Sequence, residues 1–290
     1  MVPPITIKTE RYTIGLDNGK GDYSFYSHAH FDHIKGVKRA KRPIASYETA
    51  VLAGIKHVFK APKCVSIKNA GHIVGAKQIA IEVDGERIVY TGDIKLKDTI
   101  LTKGGEIVNA DRLIIDATYG IAGLKFPNPF DVYNDIAKWI KEMENKVILF
   151  KTYVLGKPQE LIKVINEYTG KIPYVSKKIA KYSSLYKKIG IKLEYNELNI
   201  DSIKPGDIII SSGSESNSII SKIKNIKVAA VTGWSLLYRL NVDKAFPLSD
   251  HSDFYEILEY IKSSEAKKVY FITSKTSRGI RKAIKRYLKR

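Results

Sequence analysis

The chain has 290 residues, 44% of them hydrophobic, which suffices for one large two-layer domain or for a core domain carrying an inserted one. Lys and Arg total 49 against 30 Asp and Glu, a formal net charge of +19 that disfavours a small neutral substrate and points to a polyanion, nucleic acid first; the blander alternative is a solvated Lys-rich surface. A single cysteine, Cys64, excludes an internal disulfide framework and a cysteine zinc cluster, and no apolar run reaches the roughly eighteen residues of a membrane span, so the expectation is a cytoplasmic protein without secretory leader or membrane anchor.

In chain order, the first 116 residues read as short strands and tight turns with little helix. YSFYS is a strand running into HAHFDH, residues 28–33, and ETAVLAGIKH is a helix carrying His57, which is assigned a structural role. Gly71 and Gly75 allow a tight loop around His72 in NAGHIVGA. Asp84-Gly85 between QIAIEV and RIVYTG is a hairpin signal, and Asp93 ends the second of these strands. From Asn128 the rhythm changes: Asn128 as N-cap with Pro129 at the first helical position opens an amphipathic helix through Glu144. VILFKTY is then a buried strand and PQELIKVINEY a helix, and IPYV, SKKIAKYSSLYKK, IKLEYN, DIIISS, SNSIISKIK and KVAAVTG continue the alternation expected of a parallel sheet with crossover helices. After Arg239 come the loop PLSDHSDF, a helix near Tyr255 to Ser263, the strand KVYFITS and a basic helix. The simplest architecture is a β-rich α/β domain from residues 1–120 and 240–290, with a smaller α/β domain inserted over 121–239.

The block His28, His30, Asp32, His33 decides the chemistry. At an extended strand end, residues two apart face the same side, so His28 and His30 can reach one metal; a turn then brings Asp32 and His33 to a second position. Imidazole and carboxylate suit zinc or a similar divalent ion. His72 alone would be a local hydrogen-bonding residue and Asp93 alone a turn or cap. Beside the first block they read as a third imidazole and a carboxylate that bridges two ions.

These residues resemble the metallo-β-lactamase superfamily, whose HxHxDH motif, later Gly-His loop and strand-end Asp match His28 to His33, His72 and Asp93 in order. Asp116 and Thr118 in IIDATYG and His251 in PLSDHSDF are similar to the later motifs of the β-CASP nucleases. KTYVLGKPQEL, with Lys157, resembles that family's G-(K/R)-x-Q-E-L strand and helix, and VTGW before LSDHSDF resembles the small exonucleases associated with DNA ligases. The matches run from about Ser24 to Phe254. The resemblance implies a metallo-β-lactamase αββα sandwich with an inserted β-CASP-like parallel-sheet domain, and a zinc-dependent nuclease. It implies one zinc held tightly by His28, His30 and His72, and a second, weaker ion at Asp32 and His33 with Asp93 bridging; manganese is the alternative metal. Asp32, Asp116 and His251 would be catalytic, a water between the ions attacking phosphorus while His251 donates to the leaving oxygen and Asp116 orients a ring. The competing reading of PLSDHSDF is a helix start capped by Asp250 or Ser252, with His251 incidental.

Nucleases acting on RNA typically carry a final His after a late strand, where this chain has Thr273, Ser274 and Lys275. Members acting on DNA also lack it, so the expectation shifts to a DNA exonuclease entering from a 5′ end. An RNA-processing nuclease, a non-cutting nucleic-acid scaffold and a small-molecule hydrolase are the alternatives; the charge and the Asp116 and His251 motifs disfavour the last. Candidate substrate contacts are Thr118, Lys157, the set Lys177, Lys178, Lys181, Lys187 and Lys188 interleaved with Tyr174, Tyr182 and Tyr186, and a C-terminal helix with Ile280, Ile284 and Leu288 on one face and Arg281, Lys282, Lys285, Arg286 and Lys289 around it. The bland readings are solvated helix faces and core tyrosines. SSGSES before a helix is compatible with phosphate at the helix N-terminus.

Overall fold

The computed structural model describes residues 5–272 together with Ala283, Ile284 and Arg286. The chain divides into two compact units, the first comprising Met1–Asp98, Thr102–Lys125 and Asp250–Arg290, the second Thr99–Leu101 and Phe126–Ser249.

The first unit begins with four short strands, β1 (Ile5–Lys8), β2 (Thr13–Leu16), β3 (Tyr23–Phe25) and β4 (Pro43–Ile44), that lie in this order in one sheet. Helix α1 (Tyr47–Ala53) starts where Ser46 Oγ accepts the Thr49 N–H at 3.0 Å and stops at Gly54, whose φ of 69° only glycine adopts readily. His57 therefore lies beyond this helix, exposed, and not within it as the sequence suggests. Next come β5 (Val65–Asn69), β6 (Lys77–Val83), β7 (Glu86–Tyr90) and β8 (Arg112–Asp116). The β6–β7 hairpin turns on Asp84 and Gly85, both at positive φ, with Val83 opposite Glu86. Period-two alternation buries both faces of this second sheet. Ile79, Ile81, Ile88, Tyr90 and Ile114 meet Ile14, Leu16, Phe25 and Ile44 of the first sheet, while Ala80, Val89, Leu113 and Ile115 face the opposite way.

In the second unit every strand pairing is parallel. It contains α2 (Pro129–Glu142), β9 (Val147–Thr152), α3 (Lys157–Thr169), β10 (Tyr174–Val175), α4 (Lys177–Lys188), β11 (Asn196–Glu197), β12 (Ile208–Ser212), α5 (Gly213–Lys222), β13 (Ile226–Val231) and β14 (Lys244–Phe246), with sheet order β11-β10-β12-β9-β13-β14. Asn128 caps α2 by accepting the Phe130 N–H at 3.0 Å. One sheet face packs Ile148, Phe150 and Ile210 under Ile136, Leu161 and Ile179 of the helices, and the other packs Leu149 and Ile209 against Ile219 of α5. With both faces covered, the strands read as continuous apolar runs. Of IKLEYN only Asn196 pairs as strand, together with the following Glu197. The unit extends to Ser249, past residue 239, because Lys244–Phe246 adds an edge strand to this sheet.

The chain then re-enters the first unit. Helix α6 (Phe254–Ser263) lays Phe254, Ile257, Leu258 and Ile261 on Val89, Leu113 and Ile115, and β15 (Lys268–Ile272) pairs in parallel with β8 to complete the sheet order β15-β8-β7-β6-β5. Ile284 joins the α6 core, and Arg286 is helical and exposed. Thr273, Ser274, Lys275, Ile280, Arg281, Lys282, Lys285, Leu288 and Lys289 lie outside the described residues. Among those described, no helix is long and apolar enough to cross a membrane.

Candidate metal centre

The candidate ligands lie at strand ends of the first unit. Past β3 the chain turns at His28–His33, with the His33 N–H closing onto the His30 carbonyl at 2.9 Å. His72 sits in the loop before β6. Gly71 holds φ of 74° there, and a Cβ on it would lie 2.2 Å from the Lys95 carbonyl oxygen, so only glycine fits. Asp93 follows β7, and Asp116 ends β8 with its N–H on Thr91 Oγ1 at 3.1 Å. The loop before α6 is tied to the same region, since Ser252 N–H donates to the Ile94 carbonyl (2.7 Å) and Ser252 Oγ accepts the Leu96 N–H (3.1 Å).

These segments bring ligand atoms of His28, His30, His72 and Asp93 within 4.8 Å of one another. His28 Nε2 and His72 Nε2 each stand 3.5 Å from Asp93 Oδ2, and 3.0 and 3.1 Å from His30 Nδ1. The outer partners determine the tautomers. The Ser27 hydroxyl donates to Asp17 Oδ2 at 2.6 Å, so at 3.0 Å it accepts from His28 Nδ1; His72 Nδ1 donates to the Asp250 carbonyl at 2.8 Å. Both Nε2 atoms are then bare. Two nitrogen lone pairs and a carboxylate converge with at most the single proton of His30 Nδ1 among them, an arrangement that suits a cation. Burial and the neighbouring imidazoles push His28 and His72 well below the usual histidine range, which keeps them neutral and able to ligate. Burial lifts the Asp93 carboxyl to about 6, with His33 and His251 pulling the other way.

His33 is buried beside Asp93, its Nε2 3.4 Å from Oδ1. Burial works against its charge, but Asp93, Asp17 and Asp32 outweigh that and push it up to about 10. Asp32 stands apart from the four-residue cluster, 65% exposed, with Oδ2 3.7 Å from His33 Nε2. His251 Nδ1 is 2.7 Å from Asp116 Oδ2, and its ring centroid lies 4.5 Å from that of His72. Burial opposes the His251 charge too, yet Asp116 and Asp93 push it up to about 9; Asp116, raised by burial, is held below its ordinary value by His251. Asp93, Asp116 and His251 make a second set of ligand atoms within 4.8 Å.

Other sequence expectations land differently. The cap of α6 is Asp253, which accepts the Tyr255 and Glu256 N–H groups at 2.9 and 3.0 Å, so neither Asp250 nor Ser252 caps this helix. Thr118 is half-buried, and its N–H and hydroxyl both donate to Asp116 Oδ1, at 2.8 and 2.7 Å. Lys157 is no surface contact. It is 3% exposed, with Nζ 3.0 Å from Glu160 Oε2, and Glu160 Oε1 accepts the Tyr133 hydroxyl. On α4, Lys177, Lys178, Lys181, Lys187 and Lys188 are exposed, whereas Tyr186 is fully buried and Tyr174 and Tyr182 half-buried, as core packing demands.

Sequence reading passed over Asp17. At the end of β2, with φ of 51°, its carboxylate accepts from Ser27 N–H (2.7 Å), Ser27 Oγ (2.6 Å), His33 Nδ1 (2.7 Å) and the Tyr90 hydroxyl (2.7 Å). The only local signal was an Asp ending a strand before Asn-Gly, which reads as a turn.

No family model matches the chain. Curated relatives do. A probable DNA ligase of Opitutus terrae is 29% identical over 268 residues, covering 85% of this chain and 26% of that protein. An RNase J-like protein of Methanocaldococcus jannaschii is 30% identical over 191 residues, 53% of this chain and 45% of the relative. RNase aCSPSF2 of Saccharolobus solfataricus is 36% identical over 108 residues, 36% of this chain and 22% of the relative. The chain thus spans less than half the length of these relatives. With His28, His30, His72 and Asp93 gathered at the strand ends of a mixed α/β fold, the chain is similar, over part of their length, to relatives named as RNases and as a probable DNA ligase.

Proposed function

We propose that this chain is a zinc-dependent nuclease that hydrolyses phosphodiester bonds, acting first on DNA and from a 5′ end. The observation that carries the reading is the convergence of His28, His30, His72 and Asp93, with the His251–Asp116 pair beside them. His28, His30, His72 and Asp93 would hold one ion, and Asp32 and His33, the latter on giving up its Nε2 proton, with Asp93 shared, a second, weaker one. When bound, zinc supplies a water acidic enough to attack phosphorus near neutral pH and positive charge for the developing phosphoryl oxygens. The protein's own groups do the rest. Ser27 and the Asp250 carbonyl hold the His28 and His72 rings with Nε2 inward. Asp116 holds His251 by Nδ1, which leaves the Nε2 proton of the imidazolium available to the leaving oxygen. Thr118 keeps Asp116 oriented for that task.

DNA is favoured by the alignment of most of this chain with a segment of a protein named a DNA ligase, and by the lack of His in YFITSKTS. RNA is the second reading, because the RNase J-like relative aligns with about half of the chain. The test is metal content measured alongside turnover of matched DNA and RNA strands labelled at either end. DNA shortened stepwise from the 5′ end supports the first reading, and RNA cleavage without DNA cleavage replaces it with the second. A zinc-loaded protein inert on both would be a binding scaffold. His251→Ala should abolish turnover while zinc content stays nearly unchanged, and survival of turnover would remove that residue from the mechanism.

A further inference from the structure

We infer that Phe31–Arg39 forms a platform for an unpaired nucleic-acid strand, with Phe31 stacking on a base and Lys35, Lys38 and Arg39 holding the backbone that leads to it. The inference rests on the nuclease reading of the neighbouring site and names the form of substrate it takes.

Phe31 lies between two residues of the metal block, His30 and Asp32, so its backbone is one peptide from each. At 84% it is the most exposed large hydrophobic among the described residues, ahead of Tyr153 at 68%. Single exposed apolar side chains are ordinary on protein surfaces. This one differs in its support and its neighbours. Its turn is closed by the His33-to-His30 backbone bond at 2.9 Å, so the ring is presented from a fixed base, and it belongs to none of the core clusters.

The following residues, Ile34 to Arg42, contain five cations and no acid, and all five cations are exposed. Three of them act locally: Arg42 lies over the Tyr23 ring at 5.3 Å, Lys41 and Arg42 add to the Thr13 hydrogen bonds that hold the Asp22 carboxyl down, and Arg39 draws down the Tyr26 hydroxyl that burial raises. Lys35, Lys38 and Arg39 form no ion pair among the described residues and occupy a short segment whose turns are pinned by Val37 N–H on Ile34 O (3.2 Å) and Arg39 N–H on Gly36 O (2.8 Å). An exposed ring beside a basic track is the combination that binds single strands: cations follow the phosphates and any base offers its flat face to the ring. In a duplex those faces are buried in the stack, so the platform selects unpaired strand at the reaction centre.

The test uses the full chain and the binding of fluorescein-labelled oligo(dT), and of an abasic strand of equal length, followed by anisotropy. Phe31→Ala and Phe31→Leu should weaken oligo(dT) binding about tenfold and Phe31→Trp should restore it. On the abasic strand all four proteins should bind alike. Replacing Lys35, Lys38 and Arg39 together by Ala should reduce the slope of log affinity against log salt by about 2. Unchanged oligo(dT) affinity in Phe31→Ala, an equal loss on the abasic strand, or an unchanged salt slope overturns the inference, and so does a wild-type protein that binds neither strand. Wild type that binds oligo(dT) with this pattern but cleaves no strand leaves the platform standing and removes the nuclease reading.

Discussion

The two units solve burial in opposite ways. In the second, parallel strands are covered on both faces and its most deeply buried charges, Lys157 and Glu160, are turned against each other with Tyr133. In the first, strands stop short and acids and imidazoles are collected in the loops beyond them, where buried nitrogens face one another without enough protons to go round. A buried polar group that is internally matched serves stability or specificity of fold, whereas a cluster of imidazoles and carboxylate short of protons is matched by a cation. The contrast sets the candidate metal cluster in the first unit without reference to any motif.

Four substitutions would break or sharpen that contrast. Asp93→Ala should lower turnover by about 10⁴-fold, equivalent to about 5.5 kcal/mol, and strip metal from the protein while leaving the melting of the second unit unchanged. Metal retained at wild-type stoichiometry would refute the assignment. Lys157→Ala should destabilise the second unit by about 3–5 kcal/mol in denaturant titration, because Glu160 is left buried and unpaired, whereas Lys157→Met with Glu160→Met and Tyr133→Phe should recover most of that loss. A triple variant as unstable as the single one would mean the cluster does more than match its own charges. Asp17→Asn, which should weaken the orientation of His33 and Ser27, should reduce metal affinity about 10–100-fold with the fold intact, read by competition with a chromogenic chelator. The smallest effect belongs to Asn128→Ala, about 1 kcal/mol on the second unit alone through loss of the α2 cap, visible as a shift of the denaturant midpoint at constant slope and unchanged zinc content.

Much of the site was legible because its residue types are rare and local. HAHFDH puts its ligands within six positions at a strand end, and spacing alone gives their common face. Asp17 was not legible: its partners, at 27, 33 and 90, become neighbours only when β2, β3 and β7 pack, so no window of sequence contains the interaction. Lys157 shows the opposite error. Its motif marked it correctly as unusual, but a motif does not say whether a lysine faces solvent or a buried glutamate. The parallel sheet was readable from VILF and DIIISS, where apolar runs bounded by turns suit strands covered on both faces. IKLEYN alternates apolar and polar residues, yet pairing is confined to its Asn196 and the following Glu197, because local pattern cannot supply a neighbour strand. The stop at Gly54 was available in the sequence as a helix C-terminal glycine, and the run of helix formers around it hid the signal.

The acceptor that orients His72 is the carbonyl of Asp250, on the far side of residues 126–249 in the chain. A polypeptide emerging from the ribosome therefore has all four ligands of the cluster long before it has the group that sets the protonation of one of them. Until the last stretch is synthesised and docks, His72 is free to present either ring nitrogen, and a captured ion would exchange readily. The group that orients His72 thus arrives only after the whole intervening unit has been made.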